Sequence, residues 1–149
     1  MLGSLGDTRM RDKQKDEECI KAYENLLPRI SDYIDLHARE KPDEIAIIEH
    51  DTGEKVTWKE FSRNTKAFAA KLIDMGLEKG DVVATTLPLL KEHVYLMHAC
   101  YRIGIIISPL DLRLKFREVD RCFEKINPRA YFFLGKTDMM DFRPMVAQL

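Results

Sequence analysis

The side chains able to do chemistry are scattered along this chain, and their spacing decides what each could do. Gly135-Lys136-Thr137 has the ending of a phosphate-binding loop, in which backbone amides wrap a phosphate and a lysine neutralises it. Such a loop needs a glycine five residues before its second one, and Ala130 stands there. The intervening Tyr131, Phe132, Phe133 and Leu134 are bulky and β-forming, so the stretch reads as a strand followed by a glycine turn. Glu92, His93 and His98 carry metal-ligating groups. The two histidines are five apart, about 140° around a helix, and do not face one ion as residues four apart do. The expectation is a solvated His93 and a His98 packed at the edge of the core. Cys100 and Cys122 fall in helical patterns with no base beside them and read as buried thiols. Ser108, before Pro109 at a strand end, lacks the glycine elbow of an activated nucleophile. The carboxylate pairs Glu17-Glu18 and Asp43-Glu44 sit in charged segments and read as solvated. No residue receives a catalytic, cofactor-binding or metal-ligating role on spacing alone.

The elements that would position any site are better marked. Ile30, Tyr33, Ile34 and His37 recur at helical steps, and the spacing predicts a helix over 28–40, with Pro28 at its first position. The β-branched stretches 45–50 and 55–57, on either side of Asp51-Thr52-Gly53-Glu54, read as a β-hairpin. Thr57 and Glu60 form a capping box, and Val56 and Phe61 stand at the positions of a hydrophobic staple. The helix they start has Trp58, Phe61, Thr65, Phe68, Ala69 and Leu72 as its stripe and ends near Met75, before Gly76.

Three short apolar strands follow, predicted at 82–87, 105–108 and 130–134. Helices over 91–103 and 116–126 separate them, closed by Gly104 and by Asn127-Pro128. Short runs without strict alternation suit strands covered on both faces. The alternation predicts parallel neighbours in one sheet joined by right-handed crossovers, with the hairpin apart from them or at their edge. Phe142, Met145, Val146 and Leu149 read as the start of one more helix, within which the chain stops. The predicted class is α/β: a partial parallel three-layer sheet of βαβαβ units, preceded by a helix, a hairpin and a capped helix, as in a truncated larger domain. Residues 1–16, which mix glycine with charges of both signs, read as a flexible arm, and 17–149 as one α/β portion.

Composition narrows the class of function. The 149 residues carry 24 Lys and Arg against 25 Asp and Glu, a net charge of −1, so there is no electrostatic footprint for nucleic acid. No apolar run approaches the roughly 20 residues of a membrane span. Three cysteines at no metal-like spacing, with no secretory leader at the start, point to a reducing cytoplasm.

Six pieces then stand in a particular order. They are Lys41-Pro42-Asp43-Glu44-Ile45-Ala46-Ile47-Ile48, Val56-Thr57-Trp58-Lys59-Glu60-Phe61, the stretch LIDMGLEKGD from Leu72 to Asp81, Val82-Val83-Ala84 with Leu87-Pro88, Arg102-Ile103-Gly104-Ile105, and Ser108-Pro109-Leu110-Asp111-Leu112-Arg113-Leu114. Their sequence and separations resemble the N-terminal part of the AMP-forming acyl-CoA synthetases, members of the adenylate-forming enzyme superfamily. The resemblance covers about residues 28 to 149. Leu89 and Leu90 follow Pro88 where many members carry a small polar residue, and Asp111 stands where asparagine is frequent.

The resemblance implies a parent enzyme that activates a carboxylic acid with ATP and Mg as an acyl-adenylate and passes the acyl group to coenzyme A, with a place in fatty acid metabolism. Its partners are then a small carboxylic acid and the remainder of the same polypeptide, with homo-oligomerisation left open. The family's Ser/Thr/Gly-rich phosphate loop with lysine, its later nucleotide motifs and the adenylation lysine of its mobile C-terminal domain do not occur in these residues. The segment is therefore expected to be scaffold, binding none of these cofactors alone and inactive alone. Two alternatives stay open: a self-standing non-catalytic α/β interaction domain, and the same scaffold from another adenylate-forming enzyme, such as an amino-acid adenylation domain or an oxidative luminescent enzyme.

Overall fold

The computed structural model describes residue 27, residues 29–137 and residues 141–149. The expected arm, Cys19, Glu17-Glu18 and the proposed helix start at Pro28 lie outside the described residues. The first helix, α1, is Ile30–Glu40. Arg29 before it is extended, and its N–H donates to the Asp32 carboxylate at 3.2 Å, which satisfies one of the donors a helix start leaves open.

Strands β1 (Ile45–Ile48) and β2 (Lys55–Thr57) form an antiparallel hairpin, with Ile47 opposite Val56. Its turn holds Gly53 at φ +69°, a conformation that only glycine adopts without steric cost. Helix α2 (Trp58–Asp74) starts at the capping box as read: the Thr57 hydroxyl accepts from the Glu60 N–H, and the Glu60 carboxylate accepts from the Thr57 N–H at 2.9 Å. Val56 and Phe61 are both buried in one cluster with Ile34 and Tyr95, so the staple closes.

The remaining strands make a separate parallel sheet in the order β4-β3-β5, where β3 is Val82–Thr86, β4 is Ile106–Pro109 and β5 is Ala130–Phe133. Helix α3 (Lys91–Ile103) joins β3 to β4, and α4 (Phe116–Ile126) joins β4 to β5. The hairpin stands apart, as its own two-stranded sheet. Strands β3 and β5 each stop one residue before the expected end, while β4 is displaced one residue forward and includes Pro109. The reason lies in the ladder. The N–H groups of Ile106 and Leu110 donate to the Asp81 and Thr85 carbonyls at 2.9 and 2.7 Å, so the even-numbered donors face β3. Pro109 turns its donorless nitrogen to the open edge, where proline breaks no ladder bond.

Side chains alternate across β3 and show which helix covers which face. Val83 packs with Leu72 of α2 and with Leu96, Ala99 and Cys100 of α3. Thr86 points the other way, where the Tyr131 hydroxyl donates to it at 2.7 Å and Tyr131 meets Phe123 of α4 edge-on, 5.0 Å between centroids. Helices α2 and α3 therefore lie on one face and α4 on the other, as two crossovers of one hand leaving β3 and β4 in opposite directions place α3 and α4.

Charge knits the helical layer on the first face. Arg102 of α3 grips Asp35 of α1 with two bonds of 2.9 and 3.0 Å, and Ser62 of α2 donates to the same carboxylate at 2.7 Å. The expected last helix is shorter than its pattern: α5 is only Arg143–Val146. Its apolar residues find little to cover, since Phe142 is buried while Met145 and Val146 are only half-buried, and a single turn does not repay helix nucleation by itself.

Candidate functional site

In an open parallel sheet ligands gather in a crevice outside the carboxyl ends of the strands, at the point where the strand order reverses. Here the order β4-β3-β5 reverses at β3, so that point lies between β3 and β5. The chain leaves β3 through residues 87–90 toward α3, and leaves β4 through residues 110–115 toward α4. The Leu110 N–H donates to the Thr85 carbonyl, which ties the second loop to the end of the first strand.

The β3–α3 loop is held from inside and outside. His93, expected to be solvated, is instead buried, with 6% of its surface exposed. Its Nε2 lies 3.1 Å from the Thr85 hydroxyl and its Nδ1 lies 3.1 Å from the Pro88 carbonyl. The correction has a local cause: Lys91 and Glu92 beside it suggest an outward face, but position 93 is where α3 turns back over the end of β3. On the outside, Glu49 of the hairpin loop accepts from the Lys91 N–H at 3.3 Å, and the Lys91 ammonium meets Glu54 at 2.6 Å and Glu49 at 3.4 Å. The hydrogen bond from Lys91 to Glu54 leads the effects that hold its ammonium well above the usual lysine range.

The β4–α4 loop carries its own ion pair. Arg113 bonds Asp111 with Nη2 at 2.6 Å and with its backbone N–H at 2.8 Å. The Arg113 hydrogen bond, chiefly, brings the Asp111 carboxyl down to about 2. Both groups are thus occupied with each other. Lys136 is exposed in the segment that follows β5. A triphosphate demands several cations and donors converging where charge develops, and Asp111, Arg113 and Lys136 do not make such a group. The residues at this edge do not fit ATP on their own, and no chemical step is derived through it.

The other singled-out residues serve packing or solvation. His98 is half-buried and meets the Phe61 ring edge-on at 5.2 Å, as expected of a core-edge histidine, and burial, chiefly, lowers its pKa. Cys100 is fully buried, and burial pushes its thiol up to about 11, far from a reactive thiolate. Cys122 is half-buried rather than enclosed, because α4 covers its face alone. Ser108 sits within β4 opposite Ala84. Asp43 and Glu44 are exposed. Among the described residues no three His, Cys, Asp or Glu side chains converge as a metal site, and no helix is long and apolar enough to cross a membrane. The Thr85, His93 and Pro88 contact escaped sequence reasoning altogether. Its only signal was a histidine eight residues after a threonine at a strand end.

Comparison with known proteins places this geometry. The profile of the AMP-binding enzymes matches residues 34–147, which spans α1 through α5 and both walls of the crevice. The acetyl-coenzyme A synthetase of Salmonella typhi is 36% identical over 94 residues, and that stretch is 60% of this chain and 14% of the synthetase. The chain thus spans about one seventh of the length of that relative. Among solved structures, the N-terminal domain of FACL13 from Mycobacterium tuberculosis superposes with a TM-score of 0.72 at 21% identity, over 82% of this chain and 29% of that one. The NpsA N-terminal subdomain of Klebsiella oxytoca, solved in complex with 3-hydroxybenzoyl-AMSN, does so with a TM-score of 0.68 at 28% identity, over 75% of this chain and 28% of that one. A profile match running from the first helix to the last, over the expected parallel three-stranded sheet, makes this chain a member of the AMP-binding enzyme family.

Proposed function

We propose that this chain is the N-terminal scaffold of an ATP-dependent, AMP-forming acid-CoA ligase, which activates a carboxylic acid as its acyl-adenylate and transfers the acyl group to coenzyme A. The observation that carries this reading is the family match over residues 34–147 together with a 36% identical acetyl-coenzyme A synthetase. Residues 17–149 then belong to the large ligase domain, whose further residues supply the phosphate and nucleotide contacts that the crevice edge does not offer. ATP, Mg and coenzyme A are the cofactors of that whole enzyme, and a cytoplasmic location suits its substrates. The acid is proposed only as a class. The curated relative acts under the name of acetate, which does not favour the fatty-acid role that the resemblance implies.

The role of this segment in the reaction is to fix backbone. The loops after β3 and β4 are set in place by Thr85, His93 and Leu110, and a rigid floor lowers the cost of orienting whatever binds above it. Acid-dependent exchange between ATP and pyrophosphate, run on the intact ligase over acids from acetate to long-chain and aromatic ones, tests the reading. Exchange that no acid stimulates overturns it. Residues 1–149 alone are expected to show no exchange and no micromolar binding of ATP with Mg by calorimetry. Binding at that level places a nucleotide site within these residues.

A second reading has one observation in its favour. The NpsA subdomain, at 28% identity, comes from an adenylation protein captured with an aryl-AMSN compound. If the acyl acceptor is a carrier-protein thiol, exchange persists but free coenzyme A fails to discharge the adenylate.

A further inference from the structure

We propose that His93 is a positioning residue: it holds residues 87–90 as a rigid wall at the carboxyl end of β3. The inference deepens the ligase reading by assigning one side chain of this segment to the geometry of that site. Its basis is the way the loop is bonded. Helix α3 begins at Leu90 with no side-chain cap, so the usual local device for fixing a helix start is absent. His93, one turn inside the helix, takes its place. The Pro88 carbonyl can only accept, so Nδ1 must carry the proton and donate to it. Nε2 meets the hydroxyl of Thr85, itself 0% exposed, which can donate or accept. One imidazole therefore spans the strand end and the loop with both nitrogens used.

The Pro88 carbonyl also accepts from the Leu90 N–H at 2.9 Å. The two bonds together set the plane of the peptide that follows Pro88. Leu89, next in the chain, is 79% exposed. A large apolar side chain in solvent has no packing to hold its backbone, so the order of this loop rests on His93 from within and on Glu49 from outside. Of the two, His93 is the buried one. A buried bond meets no competition from water and fixes geometry more tightly than an exposed one.

Amide hydrogen exchange on the chain without substrate tests this with three variants. His93→Phe keeps an aromatic ring and removes both bonds. His93→Asn keeps a donor near the Nδ1 position. Thr85→Val removes only the hydroxyl. In His93→Phe the amides of residues 89–92 are expected to exchange faster by about tenfold or more, the scale of a lost buried hydrogen bond, while those of α2 and β5 stay at the parent rate. In His93→Asn the loop is expected to return most of the way to that rate. An unchanged loop in His93→Phe overturns the proposal. So does acceleration spread equally over α2 and β5, which is a general loss of stability, and so does an Asn variant as fast as the Phe variant. If His93→Phe does not fold, Thr85→Val carries the test, with a smaller acceleration confined to the same amides expected and a flat result overturning the proposal. None of these readouts needs ligase activity: failed pyrophosphate exchange by the intact enzyme overturns the ligase reading and leaves the exchange result standing.

Discussion

Among the described residues, one face of the parallel sheet is sealed by two helices that also pack on each other, while the other is half covered by a single helix. On the sealed face Leu72, Val83, Leu96, Ala99 and Cys100 are buried together. On the other, only Val119 of α4 is fully buried, and Phe116, Phe123 and Ile126 keep part of their surface in water. Both sides carry clear amphipathic stripes, and Glu118 accepts from the Lys115 N–H at 2.9 Å as Glu60 does from Thr57, although only Thr57 accepts in return with its own side chain. A stripe tells which side of a helix turns inward. How deep it goes depends on how many neighbours share the burial.

The comparison is broken most easily in the core. Phe61→Ala on the sealed side is expected to cost about 3 to 5 kcal/mol, and Phe123→Ala on the open side about 1 to 2 kcal/mol, because the latter ring gives up less burial. Denaturant unfolding ranks them, and equal costs mean that α4 is as well enclosed as α2.

A smaller effect contrasts two carboxylates. Burial alone raises the Asp35 carboxyl, but the bonds from Arg102, Ser62 and Lys66 outweigh it and hold the group well below the usual range. Asp35→Asn is expected to cost about 2 kcal/mol near neutral pH, as charged hydrogen bonds in a partly enclosed site do. Because the folded state lowers this pKa, the contribution is fully present above the unfolded value of about 3.9 and is lost as pH falls through the folded one. The gap between parent and variant therefore narrows below about pH 4. Asp111, paired with an Arg113 side chain that is 88% exposed, is the contrast: Asp111→Asn is expected to leave the unfolding curve unchanged, because water screens the pair. Unfolding curves collected down the acid range separate the two, and a gap that widens on acidification contradicts the sign given for Asp35.

The smallest expected effect is at the helix starts. Thr57→Ala is expected to cost about 1 kcal/mol through the lost cap, and Glu118→Ala a few tenths, since its bond is exposed. Thermal melting of the two variants sharpens the comparison. A larger loss at Glu118 means that the α4 side depends on its cap to make up for thin packing.

What could be read from the residues follows the range of the forces involved. Caps, staples and glycine stops act within five residues, so the start of α2 at Thr57 and its stop at Gly76 stand in the sequence as plainly as in the structure. Parallel pairing followed from the alternation of strands and helices. The Asp35 and Arg102 pair, 67 residues apart, leaves no local trace, because nothing near Asp35 distinguishes it from Asp32. His93 was misread for the same reason: its neighbours are charged, and its partners become near only when α3 folds back on β3. Pro109 was taken for a strand breaker because sequence does not say which way its nitrogen faces. The crevice itself became visible only from the strand order.

Pro109 has a consequence for how the molecule behaves in a crowded solution. An open sheet edge is a template onto which another chain can add a strand, and natural proteins blunt such edges. Along the outer side of β4 the donors alternate, and the proline removes the last of those that face outward. Only Ile107 is left within the strand to offer an outward N–H, and one donor does not hold a foreign strand in register. The residue that looks like a stop signal in the sequence thus makes the side of β4 that no described strand pairs with a poor template for a foreign strand, without disturbing the pairing on its inner side.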